Sequence, residues 1–238
     1  MVRCGLEVQA LGRSGPVCWA TLTYDETHLP HTLQKPDLSA WVKRLRARVH
    51  PRTFRFFGCG EYGERNARPH YHCILFGLGQ KDEKVIRDAW GMGIVQVDRL
   101  EPAAIAYVAG YTAKKLGHQR KVQRGEILDR ETGELTEGIT YQPPFLLMSR
   151  RPGIGGDART KYPRSWRKTA IWDGREVRVP RFLHEAYKKA ATPEELEVLQ
   201  REKDEYLGSL ALDAKTREKA GERIALAKSK LNLERRTL

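Results

Sequence analysis

The chain has 238 residues, with 43 lysines and arginines against 30 aspartates and glutamates, a formal net charge of +13 and a pI near 9.7. A basic surplus of this size concentrates phosphates near the surface and points to a polyanionic partner. No run of about 18 uncharged apolar residues is present to span a membrane, MVRCGLEVQALGRSGPVC lacks the apolar core of an export signal, and four cysteines without a C-x-x-C pair are expected as reduced thiols of a cytoplasmic protein.

Met1–Pro16 shows little regular pattern and stands apart as an N-terminal segment. Val17–Tyr24 (VCWATLTY), rich in aromatic and β-branched residues, reads as a buried strand. Beyond Pro36, Leu38, Trp41, Val42, Leu45 and Val49 recur at helical spacing, while Lys43, Arg44, Arg46 and Arg48 take the other face. Thr53–Cys59 is a second strand, Gly60–Pro69 a turn and His70–Gly77 a third strand. Asp82–Trp90 reads as a short helix broken by Gly91-Met92-Gly93, and Ile94–Asp98 as a fourth strand. Glu101-Pro102 opens a helix to about Leu116, with Pro in the first turn where its missing N–H costs nothing. Strand, helix, strand, strand, helix, strand predicts an α+β, ferredoxin-like (βαββαβ) arrangement with a central antiparallel sheet.

Past Lys115 the pattern weakens. PPFLLM (Pro143–Met148) is strand-compatible, and Thr140–Glu185 carries ten lysines and arginines against four acids, interleaved with Tyr162, Trp166 and Trp172. Cations for phosphates and rings for bases suit a groove that tracks a nucleic-acid strand. Thr192-Pro193-Glu194-Glu195 is a capping box that starts a helical tail with twelve cations and ten anions from Ala186 onward. The chain therefore divides into an N-terminal segment (1–16), a domain with a basic extension (17–185) and an α-helical charged C-terminal tail (186–238).

His70 and His72 are one residue apart on a predicted strand, so both imidazoles leave the same face and share one divalent cation. Glu61, nine residues earlier, comes back beside them across a hairpin; Glu64 and Asp25 are rival carboxylates, in that order. Two imidazoles and a carboxylate leave open positions that Mg²⁺ or Mn²⁺ fills with water and phosphate oxygens. On the next helix, advancing about 100° per residue from Tyr107 puts Tyr111 near 40° and Lys114 near −20°, away from the apolar stripe of Ile105, Val108, Thr112 and Leu116. A phenol with a pKa near 10 is a weak nucleophile in isolation, and a metal and a lysine that polarise a phosphate supply the missing drive.

Taken together, Thr21-Leu-Thr-Tyr-Asp25, Gly60-Glu-Tyr-Gly-Glu64 with Arg68-Pro-His-Tyr-His72, and Tyr107-Val-Ala-Gly-Tyr111-Thr-Ala-Lys114-Lys115 resemble the HUH superfamily of single-strand DNA endonucleases. More narrowly they resemble replication initiators (Rep) of the gokushovirus-type Microviridae, as does Ser149-Arg-Arg-Pro-Gly-Ile-Gly155. The likeness covers roughly residues 17–166. It implies an HUH endonuclease domain, with His70, His72 and Glu61 as metal ligands, Tyr107 and Tyr111 as nucleophiles and Lys114 on the scissile phosphate. Thr21, Thr23, Tyr24, Arg68 and Lys115 would help hold the strand. It further implies metal-dependent nicking and closing of single-stranded or melted origin DNA during rolling-circle replication in the cytoplasm of a bacterial host. Host helicase and polymerase would be partners, and no membrane is involved. The segment before the first motif is shorter than such initiators usually carry.

Two rival readings remain at this level. One keeps the nuclease site in a plasmid-type initiator, relaxase or transposase; two tyrosines weigh against one-tyrosine transposases, and the sequence contains no P-loop G-x-x-x-x-G-K-[ST]. The other is a non-catalytic nucleic-acid-binding module on a ferredoxin-like sheet, with His70, Tyr71 and His72 as stacking or structural residues.

Overall fold

The computed structural model describes residues 2–12, 15–63, 67–100, 105, 142–172 and 174–210, and the backbone alone of 126–128 and 135–137. Its elements in chain order are α1 (Val2–Leu11), β1 (Val17–Tyr24), α2 (Lys35–Val49), β2 (Arg55–Tyr62), β3 (Pro69–Phe76), α3 (Glu83–Trp90) and β4 (Gly93–Arg99). There follow β5 (Glu126–Leu128) and β6 (Leu135–Glu137), β7 (Phe145–Met148), α4 (Gly156–Lys161), β8 (Thr169–Trp172), β9 (Arg175–Arg178) and α5 (Arg181–Ala190).

The central sheet has the order β4-β1-β3-β2-β7, and every neighbouring pair in it is antiparallel. The first four strands are the βαββαβ unit expected from sequence, and β7 extends it along the free edge of β2. Two hairpins, β5–β6 and β8–β9, lie outside that sheet. The molecule forms two compact units, Met1–His184 and Glu185–Leu238. In the second, Thr192 and Glu195 form the expected capping box, with reciprocal bonds of 2.8 and 3.3 Å, and residues 193–210 are helical.

Strand periodicity decides what each face of the sheet does. β1 alternates strictly, sending Cys18, Ala20, Leu22 and Tyr24 into the core and Val17, Trp19, Thr21 and Thr23 to the other side. On the core side, α2 contributes Leu38, Trp41, Val42, Leu45 and Val49, and α3 contributes Ile86, Ala89 and Trp90. Each fully buried aliphatic side chain there stabilises the fold by about 1.5–3 kcal/mol. Trp41 Nε1–H donates to the Ile86 carbonyl at 3.2 Å, so the two helices are tied by a satisfied polar group as well as by packing. Gly91 takes the left-handed conformation (φ 63°) that ends α3.

The N-terminal segment departs from expectation, because Val2–Leu11 is a helix. Its buried residues are Cys4, Gly5 and Glu7, and Val8 and Leu11 pack against the same cluster as Cys4, a short apolar stripe interrupted by a buried carboxylate. Glu7, 5% exposed, accepts the Gly155 N–H at 2.6 Å and pairs with Arg55 at 3.1 Å, while Arg3 Nε donates to the Ile154 carbonyl at 2.8 Å. The Ser149–Gly155 stretch is thereby joined to α1 and the start of β2. Strand limits shift as well: β2 continues through Glu61 to Tyr62, where sequence alone placed a turn from Gly60. Gly60 suits that continuation, because a Cβ there would stand 2.9 Å from the Phe145 ring.

Candidate metal centre on the open sheet face

Among the described residues, the side of the sheet away from α2 and α3 carries an apolar cover at one end. There Phe57, Cys59, Ile74, Phe76, Ile105 and Ile154 form a second apolar cluster with Cys4 of α1. Toward the opposite end of β3, His70 and His72 are half-buried while Tyr71 between them is fully buried on the other face. Register then does what spacing could not. Thr23, His70 and Glu61 lie in one cross-strand row, and Thr21, His72 and Cys59 in the next.

Both imidazoles converge on one atom. His70 Nε2 is 3.0 Å and His72 Nε2 3.1 Å from Glu61 Oε1, and the candidate ligand atoms of the three residues all lie within 4.8 Å of one another. The rest of each ring is fixed by a neighbour. His70 Nδ1 faces the Arg68 carbonyl at 3.1 Å; a carbonyl only accepts, so Nδ1 carries the proton and Nε2 of the neutral ring is a lone pair aimed at Glu61. His72 Nδ1 is 3.0 Å from Thr21 Oγ1, which also accepts from Trp19 Nε1–H at 3.1 Å. Thr21 thereby anchors the Nδ1 edge of the His72 ring and turns its Nε2 edge toward Glu61. Burial alone would raise the Glu61 carboxyl, yet hydrogen bonds and positive charge from His70 and His72 in their protonated form outweigh it and hold the group down at about 2. An ionised carboxylate facing two ring nitrogens at hydrogen-bond distance requires a cation between them, either protons or a metal ion, and two imidazoles with one carboxylate are a divalent-metal donor set.

Other candidate residues fall elsewhere. Asp25 is held by His28 at 2.7 Å and is not part of the triad. Tyr24 belongs to the opposite face: it is 1% exposed, and its hydroxyl donates to Asp37 at 2.6 Å, so strand alternation removes it from any surface shared with Thr21 and Thr23. Arg68 bonds the Tyr24 carbonyl at 2.7 Å and pairs with Glu26, which fixes the chain leaving β1 and leaves neither terminal nitrogen uncommitted. Trp166 is 8% exposed and donates to the Ala158 carbonyl at 3.2 Å, so it is a packing ring, whereas Tyr162 is exposed. Glu64, Tyr107, Tyr111, Lys114 and Lys115 lie outside the described residues. Ile105 is described, and it is helical and buried on the triad's side of the sheet, in the apolar role its position predicts.

Sequence reasoning missed Trp19 as the residue behind Thr21, and Ile94 as a 70% exposed apolar group beside Thr23 in the same row. Trp19 shares parity with Thr21 and Thr23, a signal visible in VCWATLTY once that face is known to matter.

Residues 17–116 match the family model for the replication-associated protein ORF2. The chain is similar to Replication-associated protein VP4 of Bdellovibrio phage phiMH2K, with 32% identity over 121 residues, covering 41% of this chain and 38% of the relative. It is similar to Replication-associated protein ORF4 of Chlamydia phage 1 at 32% over 117 residues, covering 40% and 29%. Replication-associated protein ORF2 of Spiroplasma virus 4 is 29% identical over 140 residues, covering 49% and 43%. The aligned stretches thus span less than half the length of each relative. No solved structure matches the chain.

Proposed function

We propose that this chain, whose residues 17–116 match the replication-associated ORF2 family, is an HUH-type initiator endonuclease that nicks and rejoins single-stranded or melted origin DNA in rolling-circle replication of a circular phage genome. The observation that carries the proposal is the convergence of His70 and His72 on one buried oxygen of Glu61, inside the segment that matches the family.

In this reading Glu61, His70 and His72 hold Mg²⁺ or Mn²⁺, which when bound withdraws charge from the scissile phosphate and neutralises what develops there. Thr21 positions His72, and Thr23, in the row of His70, borders the strand's path. A tyrosine hydroxyl, Tyr111 or Tyr107, attacks phosphorus. A Tyr Oη–P bond forms as the P–O3′ bond breaks, the phenol proton is lost, and the leaving 3′ oxygen gains one. The 5′ phosphate stays on tyrosine, and the free 3′-OH is a primer for a host polymerase. Lys114 stabilises the charge on the non-bridging oxygens. The second tyrosine cuts the regenerated origin, and the new 3′-OH attacks the first linkage, closing a circle without ATP. A spacing of four on a helix lets both hydroxyls serve one site.

A labelled single-stranded origin oligonucleotide incubated with Mn²⁺ or with EDTA, then run on a denaturing gel, tests the proposal. Cleaved strand and a protein-shifted band in the Mn²⁺ lane alone are expected. Binding without cleavage in either lane would instead favour a non-catalytic module.

A further inference from the structure

The layer opposite the triad carries a charge imbalance that the nicking reaction does not use. From Lys35 to Phe54 there are six cations, Lys35, Lys43, Arg44, Arg46, Arg48 and Arg52, and one anion, Asp37. Asp37 is turned to the core by the Tyr24 hydroxyl at 2.6 Å, and Arg52 is paired with Asp82 at 2.7 Å. The neighbouring α3 is different, because Lys84–Asp88 (2.7 Å) and Arg87–Glu83 (3.6 Å) pair along it. Five exposed cations of α2 therefore remain, none in an ion pair among the described residues.

Three of the five are held in place, Lys35 among them, its Nζ 5.9 Å from the Phe145 ring centre. Arg44 donates to the Ala89 and Trp90 carbonyls at 2.8 and 3.2 Å, and the Arg46 guanidinium lies 5.7 and 5.9 Å from the Phe54 and Phe56 ring centres. Fixed cations lose less conformational entropy on meeting a phosphate. Lys35 to Arg48 extends along about 20 Å of helix, with Lys43 toward the middle of the exposed side, Lys35 and Arg46 on one flank and Arg44 and Arg48 on the other, a broad positive band for a backbone carrying one charge per about 1.7 Å of axis. A single strand is gripped through base stacking as well, and α2 offers no ring for it: Trp41, Phe54 and Phe56 are all buried.

We propose that the outer face of α2 docks the phosphate backbone of duplex DNA, on the layer opposite the Glu61–His70–His72 site, so that a duplex and a single strand are held on different faces of one domain. The claim stands independently of the nicking proposal, and its test excludes that chemistry. The full chain is titrated in EDTA with a fluorescein-labelled duplex of about 20 bp and with one of its single strands, followed by anisotropy from about 50 to 200 mM salt. Lys43→Gln/Arg48→Gln is expected to weaken duplex binding at least tenfold and to lower the log Kd–log salt slope by about two, since each phosphate contact contributes about 0.9. Single-strand affinity is unchanged. Lys43→Arg/Arg48→Lys, which keeps both charges, and Lys84→Gln/Arg87→Gln, on the self-paired helix, retain duplex binding. An unchanged duplex slope in the double glutamine variant with a native circular-dichroism spectrum overturns the proposal, as does an equal loss for the single strand.

Discussion

At the scale of single residues, the triad owes its geometry to alternation and register. Alternation is local, so His-x-His on a strand already announced two imidazoles on one face. Register is not local: that the Glu61 carboxylate stands beside the two imidazoles follows from its pairing with His70 across β2 and β3. The Trp19–Thr21–His72 relay was hidden for the same reason, since it depends on which residue of β1 faces His72. Thr21→Val keeps the shape of that side chain and removes the hydroxyl that holds His72 Nδ1, so Mn²⁺ affinity measured by calorimetry should fall ten- to a hundredfold, as loss of such an orienting partner does in other metal sites. Glu61→Gln removes the charge itself and should reduce Mn²⁺ binding further; undiminished Mn²⁺ affinity in either variant contradicts the assignment of the site.

Elements were legible where their apolar pattern was regular. α2 and the four strands of the βαββαβ unit follow from it, and their residues fill the core as expected. α1 was not, because it buries a carboxylate: Glu7 is held by Gly155 and Arg55 instead of by apolar neighbours. Glu7→Ala leaves the buried Gly155 N–H unmatched and removes one partner of Arg55, which keeps Asp157 and the Gly153 carbonyl, and thermal unfolding should show a loss of about 1–3 kcal/mol. Tyr71 is the counterpart on the core side. It sits between two candidate ligands, yet its hydroxyl accepts the Gln34 N–H at 3.0 Å, just before α2 begins. Tyr71→Phe should therefore cost about 1–3 kcal/mol of stability while leaving Mn²⁺ binding intact, because alternation separates Tyr71 from the metal face. A loss of metal binding in a folded Tyr71→Phe protein would show that the two faces are coupled.

For the molecule as a whole, the charge of +13 is unevenly spread: the tail from Ala186 carries twelve cations and ten anions, while α2 and the residues after it carry six to one. Sequence showed the excess but not its placement on the layer opposite the triad, which depends on how helix and sheet pack. The four cysteines are free and buried, as reduced thiols packed against strands should be. Burial pushes the Cys4 thiol to about 11 and those of Cys18 and Cys59 to about 12, with Cys73 raised too. At pH 8 the native thiols are thus protonated, and labelling by a disulfide reagent should be slow until denaturant exposes all four; fast labelling of the native protein would contradict this packing.

The central claim is that a tyrosine of this chain becomes covalently joined to a 5′ phosphate only when Glu61, His70 and His72 hold a divalent ion. Mass spectrometry of the protease-digested product of the single-stranded reaction tests it most directly. A nucleotide adduct on the peptide bearing Tyr107 and Tyr111 is predicted, lost in EDTA, in His72→Ala and in the double phenylalanine variant of the two tyrosines. DNA cleavage with no tyrosine adduct, or an adduct that persists without metal, would contradict it.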